Sequence, residues 1–406
     1  MRDIAPSRSP LRIGLLTHSV LPRGGVVHTL ELAGALARRG HRVTVIAPAE
    51  AGQTLFRDPG APDAPVHLAL LPAGTIAGPL VEQVRQRIAA IARGLPTVLE
   101  AGDFDLLHVH DSLGGNALAD LHDRGHRLPA WLRTIHHLDD FADPQLAAWQ
   151  ARAWRSAQAI GCVSDTWCRH LDEQHGRIAR RLHNGVDLRR FKPTAMPGEQ
   201  EALRAAGLRP GLTCLAVGGV EHRKNSLRLL HAFARLRRTD PRWAEARLVI
   251  AGGASLLDHS ASLRGWFEAL ADLGWNEGPD QPVWRTGPLP DTLLPALMRH
   301  ATVLAMPSLM EGFGLVALEA LACGTPALVS RRAPFTEHLA GCAHVGWCDP
   351  EDIASIAHGL QATALLPRPD TPPPVCLAHG WDASAERHED WYRATLATGV
   401  RLPAEL

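Results

Sequence analysis

The sequence predicts an α/β protein of two doubly wound domains, each built as a parallel sheet with helices on both faces. Near the start, Arg12–Leu16 is short and apolar, residues 26–39 have helical spacing, and residues 42–47 are rich in β-branched side chains. A strand, a helix and a strand in this order indicate a parallel pair. A second series of this kind begins after residues 191–210, which are polar and carry several Pro and Gly. A chain of 406 residues is long enough for two cores.

Both series contain further short apolar runs that we interpret as strands. They are residues 106–110, 131–135 and 159–163 in the first series, and 213–218, 247–251, 283–285, 303–307 and 327–330 in the second. The expected domains are therefore 1–190 and 211–375, joined by the linker 191–210. The remaining segment, 376–406, contains an amphipathic pattern that predicts a helix crossing back to the first domain. Ligands of such sheets bind at the carboxyl ends of strands, so residues that directly follow strands are the site candidates.

The overall charge argues against nucleic acid as the main partner. The chain has 42 basic and 42 acidic side chains and no net charge, whereas phosphate backbones are held by a surplus of Lys and Arg. Its seven cysteines include no CxxC pair, which indicates reduced thiols in a cytoplasmic protein. No apolar run is long enough to span a bilayer. A peripheral membrane contact through the Trp- and Arg-bearing residues 146–157 is one interpretation, and a helix packed on the first sheet is the favoured alternative.

The most informative segment lies between Pro307 and Pro326, where a predicted strand is followed by a short loop and an apolar helix. The loop residues are Glu311, Gly312, Phe313 and Gly314. The helix is expected to run from Leu315 to Cys323, and the free N–H groups of its first residues, Leu315 and Val316, can receive a diphosphate. Glu319 lies inside this helix, and a buried carboxylate needs a partner such as a pair of ligand hydroxyls. A hydrogen bond within the core is the alternative, but two carboxylates around a glycine loop favour a ligand site.

A basic loop follows the first strand of the second series. It contains Gly219, Arg223 and Lys224, and Lys224 is one of only two lysines in the chain. Cations at this position can neutralise the charge of a bound diphosphate. A solvated basic turn is the alternative. The absence of a GxxxxGK[ST] sequence argues against a P-loop NTPase.

Three candidates belong to the first domain. Gly24 and Gly25 lie just before the expected first helix, and His136 follows the strand 131–135. Two loop glycines are weak evidence alone, and the chain has no GxGxxG sequence to indicate a dinucleotide site. A histidine satisfied within its loop is the alternative for His136.

The segment from Glu311 to Glu319 resembles the Glu-x7-Glu motif of the retaining glycosyltransferases of family GT4. That resemblance implies the GT-B fold, in which two Rossmann-like domains face a central cleft. It implies that Glu311 faces the donor sugar near the reacting carbon and that Glu319 holds the ribose hydroxyls. Lys224 matches the family lysine, whereas the family arginine falls on Gly219, so Arg223 would have to supply that charge.

In the first domain, the glycine pair matches the family loop near the donor phosphates and the acceptor. His136 matches a family histidine close to the anomeric carbon. The resemblance assigns the acceptor to the first domain and the donor to the second. It implies a nucleotide-sugar donor, with UDP as first choice of carrier and GDP as second, and no cofactor or metal. The acceptor, a sugar, a lipid or another small molecule, is not identified by the sequence.

Two rival functions remain open at this stage. A metallohydrolase could use residues 108–111 and 136–140, where His and Asp residues are typical metal ligands. A nucleotide-sugar-binding protein could have kept the fold without catalysis, although the presence of Glu311, Glu319 and Lys224 argues against it. Asp103 and Asp105 form a DxD sequence, which we interpret as a solvated turn because it precedes a strand.

Overall fold

The computed structural model describes residues 9–253 and 259–398, and the chain divides into two compact units. The first unit contains residues up to Asn184 together with the C-terminal segment that begins at Trp381. The second unit runs from Gly185 to Gly380. Each unit has one parallel sheet, so the predicted fold class of two doubly wound domains is confirmed.

The strands of the described residues form one sheet in each unit. In the first unit they are β1 (Arg12–Leu16), β2 (Arg42–Ala49), β3 (Val66–Pro72), β4 (Leu106–Val109), β5 (Ala130–Ile135), β6 (Ala159–Cys162) and β7 (Arg180–Arg181). In the second they are β8 (Thr213–Val217), β9 (Arg247–Ala251), β10 (Val283–Gly287), β11 (Val303–Met306), β12 (Ala327–Ser330) and β13 (Val345–Cys348).

The helices connect these strands on both faces of the sheets. Those of the first unit are α1 (Gly24–Arg38), α2 (Leu80–Gly102), α3 (Ser112–Asp123), α4 (Pro144–Arg155), α5 (Asp165–His175) and α14 (Trp381–Ala397). Those of the second are α6 (Glu199–Ala205), α7 (Ser226–Thr239), α8 (Ser260–Leu273), α9 (Leu293–His300), α10 (Leu315–Ala322), α11 (Phe335–His338), α12 (Ile353–Thr363) and α13 (Pro374–Ala378).

Strand order locates the points at which each sheet can bind a ligand. The first sheet has the order β3-β2-β1-β4-β5-β6-β7, and the second has the order β10-β9-β8-β11-β12-β13. The direction of winding reverses between β1 and β4 and between β8 and β11, and loops diverge at such switch points to leave a crevice. The loops after β8 and β11 carry most of the predicted donor residues, and the loop after β4 begins with His110.

Large apolar side chains fill the core of each unit. The second unit buries Phe233, Trp243 and Trp266 in one cluster between its sheet and helices. In the first unit Trp131 is fully buried among residues of α2, α3 and the central strands. Helix α14 packs on α1, and Arg39 donates to Glu389 across this contact at 2.8 Å. Residues from the end of the chain thus complete the first unit.

The strands predicted from sequence are present, with bounds that differ by at most two residues. β3, β7 and β13 were not predicted. The expectation that Gly24 and Gly25 precede the first helix is wrong, because both lie in the first turn of α1. The segment 191–210 contains helix α6 and lies within the second unit, so the boundary falls at Asn184 and not in that segment.

Candidate active site

Helix α10 begins in a tight turn that only glycine fits. Gly314 precedes the helix with φ +92°, and a Cβ atom added there would lie 2.4 Å from Cε1 of Phe335. Most residues rarely adopt this backbone conformation, and no side chain fits the available space. Gly314 therefore lets the loop after β11 approach the start of α10 closely, where the first N–H groups have no partner within the helix.

Glu311 and Lys224 form the centre of a charged cluster at this turn. Lys224 Nζ lies 2.6 Å from Glu311 Oε1, and the hydroxyl of Ser308 donates to the same oxygen at 3.0 Å. Arg223 Nη1 lies 3.4 Å from Oε2 of Glu311, whose side chain is 8% exposed. Burial alone would raise the pKa of Glu311, but the charges of Lys224 and Arg223 outweigh burial and lower the pKa. The carboxylate is thus ionised and held by two cations.

Two residues that the sequence did not reveal fix the basic loop. The buried carboxylate of Glu221 lies 3.3 Å from Nη2 of Arg223, opposite the contact with Glu311. Asn225 adopts a left-handed backbone conformation with φ +61°, and its amide donates to the carbonyls of Pro307 and Pro350 at 2.9 and 2.6 Å. These bonds tie the loop after β8 to the loop after β11, so Arg223 is held at a fixed place.

A small cavity opens between these two loops. Its lining includes Gly218, Gly219, Lys224, Ser226, Met306 and Ser308. Gly219 occupies the position of the family arginine, so no side chain enters the cavity from this position. The carbonyl of Gly219 instead accepts from the hydroxyl of Ser226 at 3.4 Å.

The remaining predicted donor residues lie on or beside α10. Glu319 is 8% exposed within this buried helix and interacts with other groups of the chain. Phe313 is buried, and its ring stacks on His338 with centroids 4.4 Å apart and planes 2° apart. Leu315 and Val316 are half-buried at the helix start, and Gly312 is half-buried in the loop. The structure therefore brings all predicted donor residues to the two loops and to α10.

The predicted residues of the first unit lie around α1 and the ends of β4 and β5. A Cβ atom added to Gly24 would meet nothing within 4 Å, and one added to Gly25 would meet only His18, at 3.9 Å. His136 follows β5 and lies among other histidines, with its ring centroid 4.5 Å from that of His28. His110, which follows β4, belongs to the same group. The start of α1 thus has open space around Gly24 and Gly25, and the histidine cluster lies further along the same helix and at the ends of β4 and β5.

Burial keeps these histidines neutral. It lowers the pKa of His28 to about 3, with a further contribution from nearby His388, and Asn184 acts in the opposite direction. Burial likewise lowers the pKa of His110 and His136 well below the usual value, and repulsion between the rings adds to it. At pH 7 the cluster therefore consists of uncharged imidazoles.

The ligand set of the rival metallohydrolase is assembled only in part. His108 lies within β4, where Thr134 and Tyr392 hold its two ring nitrogens at 2.7 and 2.6 Å. Asp111 caps α3 by accepting from the backbone N–H of Gly114. Segments 108–111 and 136–140 thus bring His110 and His136 together but use His108 and Asp111 elsewhere. Asp103 and Asp105 pair with Arg12, so the DxD sequence is held by a surface arginine.

Helix α4 packs against α3 and also contacts β5 of the first sheet. Arg152 donates to Asp120 and Asp123 of α3, each at 2.7 Å, and Trp154 is buried. Among the described residues, no helix has the length and apolar character needed to cross a membrane.

Comparisons of the fold with solved structures agree with this architecture. The chain is similar to sucrose-phosphate synthase from Thermosynechococcus elongatus, at 21% identity and a TM-score of 0.76 over 96% of this chain and all of that one. It is also similar to the trehalose-phosphate synthase of Burkholderia multivorans, at 16% identity and a TM-score of 0.68 over 96% and 100% of the two chains. These are GT-B structures, so the fold is that of the GT-B glycosyltransferases.

Comparisons of the sequence establish the family. The model described as glycosyl transferases group 1 matches residues 204–367, and that described as glycosyltransferase family 4 matches residues 22–190. The D-inositol 3-phosphate glycosyltransferase of Salinispora arenicola is 30% identical over 81% of this chain and 78% of its own length. Its namesake from Streptomyces bingchenggensis is 29% identical over 97% and 92% of the two chains. The chain belongs to glycosyltransferase family GT4 and is an enzyme of the hexosyltransferase type.

Proposed function

We propose that this enzyme transfers a hexose from a nucleotide-diphosphate sugar to a hydroxyl of a small polar acceptor, with retention of anomeric configuration and without a metal in the transfer step. The observation that carries the proposal is the cluster of Lys224, Arg223 and Glu311 at the start of α10. Two fixed cations beside a helix N-terminus provide a binding place for a diphosphate. The UDP carrier is our first choice and GDP our second.

In the proposed donor complex, the diphosphate lies between the loops after β8 and β11. Lys224 and Arg223 neutralise its charge, and the N–H groups at Leu315 and Val316 add the partial positive charge of the helix. Glu319 accepts hydrogen bonds from the ribose hydroxyls. Glu311 accepts from sugar hydroxyls and at the same time holds Lys224 in place. Fixed cations thus take the role that a metal ion plays in other enzymes that cleave diphosphate esters.

Transfer then breaks the bond between the anomeric carbon and the diphosphate oxygen and forms a bond from the same carbon to the acceptor oxygen. The proton of the acceptor hydroxyl passes to the departing phosphate oxygen on the same face, so the charges balance. Positive charge that develops on the sugar ring is stabilised by the nearby leaving phosphate. The cations raise the rate by stabilising the leaving group more strongly than the bound donor.

Similar proteins support a small hydroxylated acceptor. The curated relatives are named for D-inositol 3-phosphate, and a structural neighbour, the trehalose-phosphate synthase of Burkholderia xenovorans, holds glucose-6-phosphate. Another neighbour, HepE of Anabaena, holds UDP and glucose, which supports UDP as the carrier. None of the seven cysteines, all of which lie within the described residues, forms a disulfide, and this supports a cytoplasmic enzyme.

Calorimetric titration with UDP, GDP and ADP in the presence of a chelator tests the proposal. We expect one nucleotide to bind clearly, and we expect Glu319→Ala to lose this binding because its ribose contact is removed. Glu351→Ala is the matched control, since Glu351 is an exposed carboxylate of the same unit that pairs with Arg332. Binding of none of the three nucleotides would contradict the proposal, and binding without turnover of any nucleotide sugar would favour the non-catalytic alternative.

A further inference from the structure

Three histidines from separate elements of the first unit converge on one point. His28 lies in α1, His110 follows β4, and His136 follows β5. One ring nitrogen from each lies within 4.8 Å of the other two. The ring centroids are 4.5, 4.9 and 5.7 Å apart. Three neutral imidazoles therefore direct nitrogen atoms into a small common space.

These nitrogens lack partners within the described part of the chain. Both nitrogens of His28, both of His110 and Nε2 of His136 make no hydrogen bond there. His28 is fully buried and His110 is 4% exposed. Each neutral imidazole has one N–H donor and one lone pair, and a buried polar group left unsatisfied costs about 1–3 kcal/mol. Since several such groups meet at one place, a ligand other than the described residues would satisfy them.

The spacing fits a tetrahedral metal ion. With metal–nitrogen bonds of about 2.0–2.1 Å, three imidazoles around Zn²⁺ place their ring centroids roughly 5 Å apart, which the observed separations bracket. Three protein nitrogens leave a fourth position for water. Oδ1 of Asn184 is also buried and unpaired within the described residues, and this side chain lies close enough to His28 to affect its proton affinity. It can accept the second N–H of His28, as the outer partners of metal-bound histidines do.

We propose that His28, His110 and His136 form a binding site for one divalent transition-metal ion, with Zn²⁺ the best match to three imidazole ligands. Such an ion would connect α1 to the loops that follow β4 and β5 and would satisfy the unpaired nitrogens. Arg133 is buried and Asp111 is half-buried beside the cluster, and their opposite charges offset one another. His136 is only half-buried and gives the ion a path of entry.

This site departs from the sequence-based expectation of a chain without metal. Two of its segments were recognised as typical of metal ligands, but the sequence alone could not show that α1 brings His28 to them. The proposed ion is separate from the charged cluster of Lys224, Arg223 and Glu311, all of which belong to the other unit. It therefore does not replace the cations of the proposed transfer step, and the two proposals are tested independently.

Metal titration of the full-length protein, freed of any affinity tag and stripped with a chelator, is the first test. We expect about one Zn²⁺ per chain, a higher melting temperature in its presence, and a Co²⁺ spectrum typical of tetrahedral coordination. A folded, stripped protein that binds neither ion would overturn the proposal. Weak binding of several ions without stabilisation would overturn it as well, because exposed histidines would account for that result.

Variants then identify the ligands. His28→Phe and His110→Phe each remove one ligand, and we expect Zn²⁺ affinity to fall by about tenfold or more. His388→Phe is the matched control, since this buried ring lies 6.0 Å from His28 but is not one of the three. Unchanged affinity in both ligand variants would overturn the assignment. If the Phe variants fail to fold, His136→Asp keeps a ligand atom and is expected to retain binding at reduced affinity, whereas unaltered affinity would again contradict the site.

Discussion

Lys224 and Glu311 are joined by a 2.6 Å contact between Nζ and Oε1, although 87 residues separate them in the chain. The contact links the loop after β8 to the loop after β11, the two loops at the switch point of the second sheet. The cation is thus held by a carboxylate at the place where we propose the diphosphate binds. A donor bound there must share Lys224 with Glu311.

Lys224→Ala should slow sugar transfer by about 100-fold or more, since it removes one fixed charge that stabilises the leaving diphosphate. Steady-state rates with the identified donor measure this effect. The chain offers a close control, because Lys192 is its only other lysine. Lys192→Ala should keep the rate, and a fully active Lys224→Ala enzyme would refute the role of Lys224.

Glu311→Gln should separate nucleotide binding from transfer. Without the carboxylate, Lys224 and Arg223 are free to meet the diphosphate, so affinity for the nucleotide alone should stay equal or rise a few-fold. Transfer should fall by about 100-fold, because the contact with the donor sugar is weakened. Calorimetry and initial rates on the same preparation provide both readings. A large loss of nucleotide affinity would show that Glu311 instead supports the diphosphate site.

Gly314→Ala should destabilise the second unit by about 2–4 kcal/mol, since it combines backbone strain at φ +92° with a clash against Phe335. Denaturant unfolding measures the change. Gly341→Ala isolates the first effect, because Gly341 has φ +79° but open space around its Cβ position. The control should lose only about 1 kcal/mol. Equal losses of unfolding free energy in the two variants would show that the Phe335 ring moves aside and that the clash adds no destabilisation.

Much of the fold was accessible from the sequence because buried parallel strands are uninterrupted apolar runs. β1, β9 and β12 have the predicted bounds for this reason. β3 was missed because its side chains are largely exposed or half-buried, and β7 because it has only two residues. The start of α1 was misplaced because Gly24 and Gly25 favour loops, whereas packing of the apolar residues that follow extends the helix.

The candidate site was predictable where its residues lie close together in the sequence or are rare in the chain. Glu311 and Glu319 lie in one segment, and Lys224 is conspicuous in a chain with two lysines. Glu221 and Asn225 were missed because their importance depends on contacts with distant loops, which no local pattern reports. His28 was missed for the same reason, since only the fold brings α1 beside the ends of β4 and β5.

Glu389→Gln should reduce the stability of the first unit at neutral pH and remove part of its acid sensitivity. Burial alone would raise the pKa of Glu389, but hydrogen bonds from Arg393 and Arg39 outweigh it and lower the pKa to about 2. Since this lies below the unfolded value of about 4.5, the ionised group stabilises the folded state above pH 4.5. That contribution, up to about 3 kcal/mol, is lost as pH falls towards 2.

Urea unfolding between pH 7 and pH 3 measures this dependence. The wild-type protein should lose stability more steeply below pH 4.5 than Glu389→Gln, because only the wild-type carboxylate must be protonated on acid unfolding. Glu386→Gln is the control on the same helix, since Glu386 is exposed to solvent. It should match the wild type at every pH. Parallel pH profiles for the wild type and Glu389→Gln would mean that the contacts with Arg39 and Arg393 do not lower the pKa of Glu389.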